Sequence, residues 1–291
     1  MAQIALPKEK RRFKGGLHIH TTLSDGRKTP EEVAEWYKNQ GFDFIFITDH
    51  NKVSDFSHLC TDDFLVLNGG EFSAGKTDLG EPLHFVGLNL PPGFTPSSKD
   101  SPQDLIDEMR EAGAEVILAH PYWSQLSWQD IFPLEGILGI EVFNYSSEVG
   151  IGKGYSMVHW DDLLNRGKRL YGFAVDDAHF GIDDGGGGWI EVLADELSLE
   201  SILKAIRNGD FFSSAGPEII ELKLNNGIVE VTTTPVVSAC FRTNMSLGYC
   251  LNSPNGEITQ AQFELKPRYK FLRFQCEDKN HRIAWSNPIY F

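Results

Sequence analysis

The sequence predicts an α/β chain in two parts, with strands and helices alternating over the first two thirds and a small all-β domain of roughly 70 residues after them. Three observations carry that expectation. Short apolar runs alternate with amphipathic stretches as far as Gly209. Several runs are apolar at nearly every position, as in Phe44-Ile45-Phe46-Ile47 and Val116-Ile117-Leu118-Ala119, which suits parallel strands covered on both faces. From Ile219 onward helix signals stop and period-two alternation takes over.

Candidate strands in the first part cover residues 17–20, 42–48, 65–71, 84–90, 116–120, 140–144 and 170–176. Seven such runs are what a barrel or a large wound sheet requires. Thr29-Pro30-Glu31-Glu32 supplies an N-cap, a first-turn proline and a capping-box glutamate, and Gly41 closes that helix. Ser101-Pro102-Gln103-Asp104 repeats the device and ends near Gly113, while Ser198 to Gly209 frames a third helix. In the second part, residues 228–234, 237–242, 263–265, 271–276 and 283–286 alternate as strands, separated by turn residues such as Asn225-Asn226-Gly227 and Ser253-Pro254-Asn255-Gly256. A sandwich is the expected form. The glycine run 185–188 reads as a mobile loop.

A net charge of −15 argues against a long nucleic-acid footprint, which needs clustered Lys and Arg. The one basic run, Lys8-Glu9-Lys10-Arg11-Arg12, reads as a solvated tail leading into the first strand. Cys60, Cys240, Cys250 and Cys276 are scattered without metal-ligand spacing, and for the three in the last quarter of the chain buried free thiols are the simpler reading. With no apolar run near the ~18 residues of a membrane span and no signal-peptide core, a cytoplasmic protein off the membrane is expected.

The chemistry sits where the strands end. The first ends in His18-Ile19-His20, and residues two apart on a strand share a face, so both imidazoles can reach one metal. Asp25 follows in a Ser-Asp-Gly turn. Later strands end in Thr48-Asp49-His50, Gly69-Gly70-Glu71 and His120-Pro121, and the seventh runs into Asp176-Asp177-Ala178-His179. His84 stands apart because it opens its run instead of closing it. A lone strand-end histidine is more often a hydrogen-bonded core residue, but His18, His20, His50, His84, His120 and His179 make six of nine at or near strand ends that also carry carboxylates.

These residues together, His18-x-His20, Asp25, Thr48-Asp49-His50, Glu71, His84, His120-Pro121 and Asp177-x-His179, resemble the signature of the PHP (polymerase and histidinol phosphatase) superfamily. The likeness covers residues 14 to about 215 and matches all nine metal-ligand positions of that family in order. It extends to a two-domain subgroup of metal-dependent phosphoesterases through Trp160-Asp161-Asp162-Leu163-Leu164, Asp176-Asp177-Ala178-His179 and Ala284-Trp285-Ser286-Asn287-Pro288-Ile289. Lys14-Gly15-Gly16-Leu17-His18 is also similar to PHP-like hydrolases that cleave non-phosphate esters.

The resemblance implies a distorted (β/α)7 barrel over 15–215, a tail over 1–14 and a sandwich-like β domain over 216–291. It implies two or three divalent ions (zinc, manganese or iron). One would be held by His18, His20, Glu71 and Asp177, a second by Asp25, His50 and His179, and a third by Glu71, His84 and His120. Glu71, Asp25 and His179 would then serve catalysis as well. Metal-bound hydroxide would attack a phosphomonoester or small phosphodiester, a nucleotide or sugar phosphate among the options. The same hydroxide attacks a carbonyl carbon, so a carboxylester or amide hydrolase is the alternative, and a non-catalytic metal-binding module the third reading. Asp49 and Asp176 adjoin ligands and either orient imidazoles or cap turns. Asn144 ends the sixth strand and is a candidate to touch substrate or a metal-bound water. Tyr122 and Trp123 follow His120-Pro121 and are expected to wall the substrate pocket. Lys153, Arg166 and Arg169 read as phosphate clamps or, more simply, as solvated surface charge.

Overall fold

The computed structural model describes residues 3–291. Strands β1 (Gln3–Leu6) and β2 (Arg12–Gly16) lead into helix α1 (Pro30–Asn39), then β3 (Phe44–Ile47), β4 (Leu65–Ala74) and β5 (Leu83–Leu88). Next come α2 (Pro102–Glu111), β6 (Glu115–Leu118), a single turn α3 (Trp128–Ile131), β7 (Gly139–Asn144), α4 (Tyr145–Ile151) and α5 (Met157–Asn165). The first part closes with β8 (Tyr171–Val175), β9 (Trp189–Leu193), α6 (Leu199–Asn208) and β10 (Phe211–Ser214). Eight strands finish the chain: β11 (Ile219–Asn225), β12 (Ile228–Val236), β13 (Ser238–Thr243), β14 (Gly248–Asn252), β15 (Ile258–Glu264), β16 (Phe271–Glu277), β17 (Ile283–Ser286) and β18 (Ile289–Tyr290).

The three helix starts read from the sequence are built as their chemistry dictates. Thr29 and Glu32 close a reciprocal capping box on α1, and Ser101 and Ser198 accept the Asp104 and Ser201 amides at the starts of α2 and α6. Gly209 ends α6 at φ +77°, a left-handed conformation that costs glycine nothing.

Strands β2 to β8 lie side by side in chain order. The β2–β3, β3–β4, β6–β7 and β7–β8 pairs are parallel, but β5 is antiparallel to both β4 and β6. This departs from the uniform β-α repeat expected. The segment between Ala74 and Leu83 is too short to hold the crossover a parallel pair requires, so the chain turns straight back. A parallel bridge between Ile19 and Ala178 joins the chain just past β2 to the chain just past β8.

Both faces of this sheet are covered. Phe44 and Phe46 enter a central apolar cluster with Leu67, Val86, Ile117 and Phe173. Ile45 and Ile47, one residue out of phase, instead meet Val33, Ala34 and Tyr37 of α1. Each such side chain taken fully out of water contributes about 1.5–3 kcal/mol.

The C-terminal strands are joined closely to the first part. A four-stranded sheet, β1-β11-β12-β15, shares an apolar core with the β14-β13-β16-β17 end of the long sheet. That end continues through β10 and β9 into β2, so hydrogen bonding runs unbroken from one part to the other. Trp285 of β17 is fully buried against Phe143 and Tyr155 of the first part. Arg273 of β16, also fully buried, pairs with Asp161 of α5 at 2.6 Å and lies over the Trp160 ring. Asn287 accepts from the Gly172 amide and donates to the Gly209 and Phe211 carbonyls.

Two expectations need correction. Lys8 to Arg11 are exposed as expected, but no free tail precedes them: β1 pairs with β11, Leu6 is buried in the second core, and the Arg12 guanidinium donates to the Ile219 and Ile220 carbonyls. Cys240 and Cys250 are not free thiols. They face each other in register across β13 and β14 and are joined as a disulfide, leaving Cys60 and the buried Cys276 free. Among the described residues no helix is long and apolar enough to cross a membrane.

Candidate metal centre

The reversed β5 accounts for His84. In the parallel strands the polar residues lie at or beyond the C-terminal ends: His18 and His20 after β2, His50 after β3, His120 after β6, Asp177 and His179 after β8. Because β5 runs the other way, its N-terminal end lies at that same mouth, with His84 opposite Ser73 of β4 and its carbonyl bonded to the Ala119 amide. A histidine that opens its strand therefore joins residues that close theirs.

The structure brings all nine residues together in three overlapping groups, whose donor atoms lie within 4.8 Å of one another: His18, His20, Glu71 and Asp177; Glu71, His84 and His120; and His20, Asp25, His50 and His179. The last group contains His20 in addition to the three residues the resemblance implies. Glu71 is the hub. Its Oε1 lies 2.8 Å from His84 Nδ1 and 3.2 Å from His120 Nε2, while its Oε2 lies 2.9 Å from His50 Nδ1 and 3.2 Å from His18 Nε2. Asp177 Oδ1 stands 3.1 Å from His20 Nε2 and 3.2 Å from His18 Nε2. Asp25 lies nearer solvent, 3.4 Å from His179 Nε2 and 3.7 Å from His50 Nε2.

The electrostatics are those of carboxylates held among cations. Burial alone would raise the Glu71 pKa, but the His18 charge and the close imidazoles of His120, His18 and His50 hold it well below the ordinary range. Burial would likewise lower His18, yet Asp177, Glu141 and Glu71 together hold it well above its ordinary value. The backbone is strained here too: His120 at φ +28° and Asp177 at φ +56° occupy the left-handed region, at a cost of order 1–3 kcal/mol each.

The residues around the cluster divide differently from the sequence reading. Asp49 bonds no imidazole; it accepts from the Thr21 amide, the Thr21 hydroxyl and the Ser24 hydroxyl, pinning the turn that carries Asp25. Asp176 accepts from the Tyr37 hydroxyl and from the Gly186, Gly187 and Gly188 amides. The glycine run is thus a fixed nest around a carboxylate, not a mobile loop. Glycine is required at Gly188, where a side chain would overlap the Val175 main chain. Asn144 donates to Asp177 Oδ2 at 3.1 Å and to Glu141 Oε2 at 2.9 Å, placing it behind a candidate ligand.

Three residues escaped the sequence reading. Glu141, 1% exposed, lies 2.7 Å from His18 Nδ1. Ser124 Oγ lies 3.0 Å from His120 Nδ1, and Asp184 accepts from the His179 and Phe180 amides. Glu141 alone left a signal: a charged residue inside the otherwise apolar strand Gly-Ile-Glu-Val-Phe-Asn.

A cavity of about 370 Å³ opens over the cluster. Trp123, Ile151 and Ile182 supply its apolar walls and Ser146 and Ser147 its polar ones; among the described residues lining it there is no Lys or Arg. Trp123 stands edge-on to His120, ring centres 5.0 Å apart. Tyr122 does not line the cavity; its ring lies between His159 and Lys153. Arg166 pairs with Asp162 over Trp128, and Arg169 lies over Tyr290, so neither lines the cavity.

The donor set fits divalent metal. His18 Nε2, His20 Nδ1 and Glu71 Oε2 are buried without a hydrogen-bond partner, a costly condition for polar atoms. His18 Nε2 faces one oxygen each of Glu71 and Asp177, a carboxylate pair that positive charge at this point would stabilise. Imidazole with carboxylate suits zinc, manganese and iron.

No protein-family model matches the chain. An uncharacterized protein of Methanocaldococcus jannaschii is 28% identical over 156 residues, spanning 48% of this chain and 86% of its own. A lesion-specific endonuclease of Pyrococcus furiosus is similar at 14% identity and a TM-score of 0.46, over 68% of this chain and 56% of its own. A solved two-domain protein of Bacteroides vulgatus, containing a predicted PHP-like metal-dependent phosphoesterase, covers 99% of this chain and 98% of its own at 17% identity, with a TM-score of 0.56. Along nearly its whole length the chain has the two-domain fold of that PHP-like protein, a mixed α/β part followed by an antiparallel β part, in keeping with the PHP resemblance of its ligand pattern.

Proposed function

We propose that the chain is a metal-dependent hydrolase cleaving a phosphomonoester or small phosphodiester. The observation that carries this reading is one buried carboxylate, Glu71, shared by two groups of imidazoles, with a third group of its own built around Asp25. His18, His20, Glu71 and Asp177 would hold one ion, Glu71, His84 and His120 another, and Asp25, His50 and His179 with His20 a third. When bound, such ions supply a water that is nucleophilic at neutral pH and offset the charge that grows on phosphoryl oxygens. The residues do the rest. Asp49 and Asp184 hold the loops that present Asp25 and His179, and Trp123 walls the cavity beside His120. We place the hydrolase barrel at 15–215, closed by the Ile19–Ala178 bridge, and the small β domain at 216–291.

A specific observation favours a second reading. Among the described residues no Lys or Arg lines the cavity, so the positive charge that a phosphate dianion needs for binding would come from metal and imidazole, whereas a neutral carboxylester or amide can bind without it. The cavity volume suits a small substrate. Turnover of p-nitrophenyl phosphate, bis-p-nitrophenyl phosphate, p-nitrophenyl acetate and a short DNA oligonucleotide, each with zinc, manganese or iron, tests both. Phosphate-ester turnover that chelation abolishes is expected. Acetate turnover alone overturns the phosphoesterase reading, and oligonucleotide cleavage overturns the small-substrate one.

A further inference from the structure

Glu141 is the charged side chain that neither the ligand pattern nor the cavity accounts for. It sits on β7 with both faces of that strand buried and is itself 1% exposed. Burying a carboxylate there is costly unless its oxygens are fully engaged, and they are. Oε1 lies 2.7 Å from His18 Nδ1; Oε2 accepts from the His120 backbone amide at 2.8 Å and from Asn144 Nδ2 at 2.9 Å. Asn144 in turn donates to Asp177 Oδ2. One carboxylate thus reaches His18 directly, His120 through its main chain and Asp177 through an amide.

We propose that Glu141 is a positioning residue that fixes the His18 ring as its Nδ1–H tautomer, so that the Nε2 lone pair points at the ion held with Glu71 and Asp177. The inference rests on the metal reading given above. A carboxylate only accepts, so His18 Nδ1 must be the donor, and the one nitrogen left for an ion is Nε2, which is the atom facing Glu71 Oε2 and Asp177 Oδ1. The strained backbone at His120 is explained as well: its amide is turned toward Glu141 while its imidazole reaches Glu71.

Glutamine at this position is the sharp test because it keeps the shape and loses one acceptor. If its oxygen faces His120 and Asn144, its NH2 meets His18 Nδ1 and forces the other tautomer, with a proton on Nε2. If its oxygen faces His18, its NH2 meets two donors. Either way the His18 site is spoiled. Zinc affinity of wild type and Glu141→Gln would be measured by competition with a chromophoric chelator, and the His18 tautomer in zinc-loaded, 15N-histidine-labelled wild type by NMR. The expected results are a 10- to 100-fold weaker zinc affinity in the variant, as typically follows loss of an outer-shell partner, and an Nδ1–H tautomer in wild type. Unchanged affinity in a folded variant, or an Nε2–H tautomer in wild type, overturns the proposal. The tautomer needs no variant, so misfolding of Glu141→Gln leaves the question decided. Wild type that binds none of zinc, manganese and iron overturns the metal reading, and this inference with it.

Discussion

Replacing Glu71 by glutamine should empty most of the centre while leaving the fold in place. Two of the three candidate ion positions include Glu71, and only the group of His20, Asp25, His50 and His179 does not count it as a ligand. A protein loaded with three ions should therefore keep at most one after the substitution. Losing an outer-shell partner typically costs 10–100-fold in affinity, so losing a direct, shared ligand should exceed about 100-fold at both dependent positions. Turnover should fall at least as far, because the ions supply both the nucleophilic water and the charge stabilisation. The assay is elemental analysis after exhaustive dialysis, paired with turnover of the best phosphate ester. The near-isosteric amide leaves the surrounding packing alone, so far-ultraviolet circular dichroism should match wild type. A folded Glu71→Gln protein that retains two or more equivalents, or wild-type turnover, would refute the shared-ligand geometry.

Further outcomes follow from other parts of the molecule. Trp285→Ala should cost about 3–5 kcal/mol of unfolding free energy in a urea titration, the usual penalty for emptying a buried tryptophan site; a loss under 1 kcal/mol would mean that Trp285 does not bind the two parts together. Burial holds the Glu191 pKa up at about 7, with Glu218 adding to it and Arg12 and Lys14 opposing. The folded state then keeps a proton that the unfolded chain has already lost, so stability should fall as pH rises from about 4.5 to about 7, by up to roughly 3 kcal/mol. Glu191→Gln should flatten that slope in thermal melts, and an unchanged slope would reject the assignment. Trp123→Ala should raise KM for p-nitrophenyl phosphate roughly 2- to 10-fold with kcat and metal content nearly unchanged; a fall in kcat alone would argue against a wall role. Thiol titration of denatured, unreduced protein should find Cys60 and Cys276 only, whereas four reactive thiols would refute the Cys240–Cys250 disulfide.

The ligand pattern was legible because it depends on local spacing. Histidines two apart, or a carboxylate after Gly-Gly, keep their meaning wherever the chain goes. Direction was harder to read. His84 looked misplaced because strand sense is set by the length of the connection before it, and the segment between Ala74 and Leu83 is short enough to reverse β5. Helices came through at their caps, where Thr29, Ser101 and Ser198 act within one turn. What stayed hidden depends on contacts distant in sequence. Asp49 and Asp176 sit beside candidate ligands in the chain, yet each holds a loop whose nearest bonded atoms are 10 or more residues away. The Cys240–Cys250 pair shows only once β13 and β14 are in register. Glu141 was visible as an oddity in an apolar strand, but its meaning needed His18, 123 residues earlier.

The unbroken sheet from β8 to β14 bears on whether this chain can be dissected. The 216 boundary reads like a joint between modules, and in a modular protein a stop there would release a working catalytic half. Here such a stop would strip β10 of its β17 partner and expose the pocket around Phe143 and Trp160 that Trp285 and Arg273 fill. The fragment would carry a bare β edge beside an apolar hole, the usual recipe for self-association. Its failure to stay in solution would then say nothing about catalysis. The C-terminal strands work as the far half of one wall, so recombination with other β domains would have to preserve that hydrogen-bonded seam.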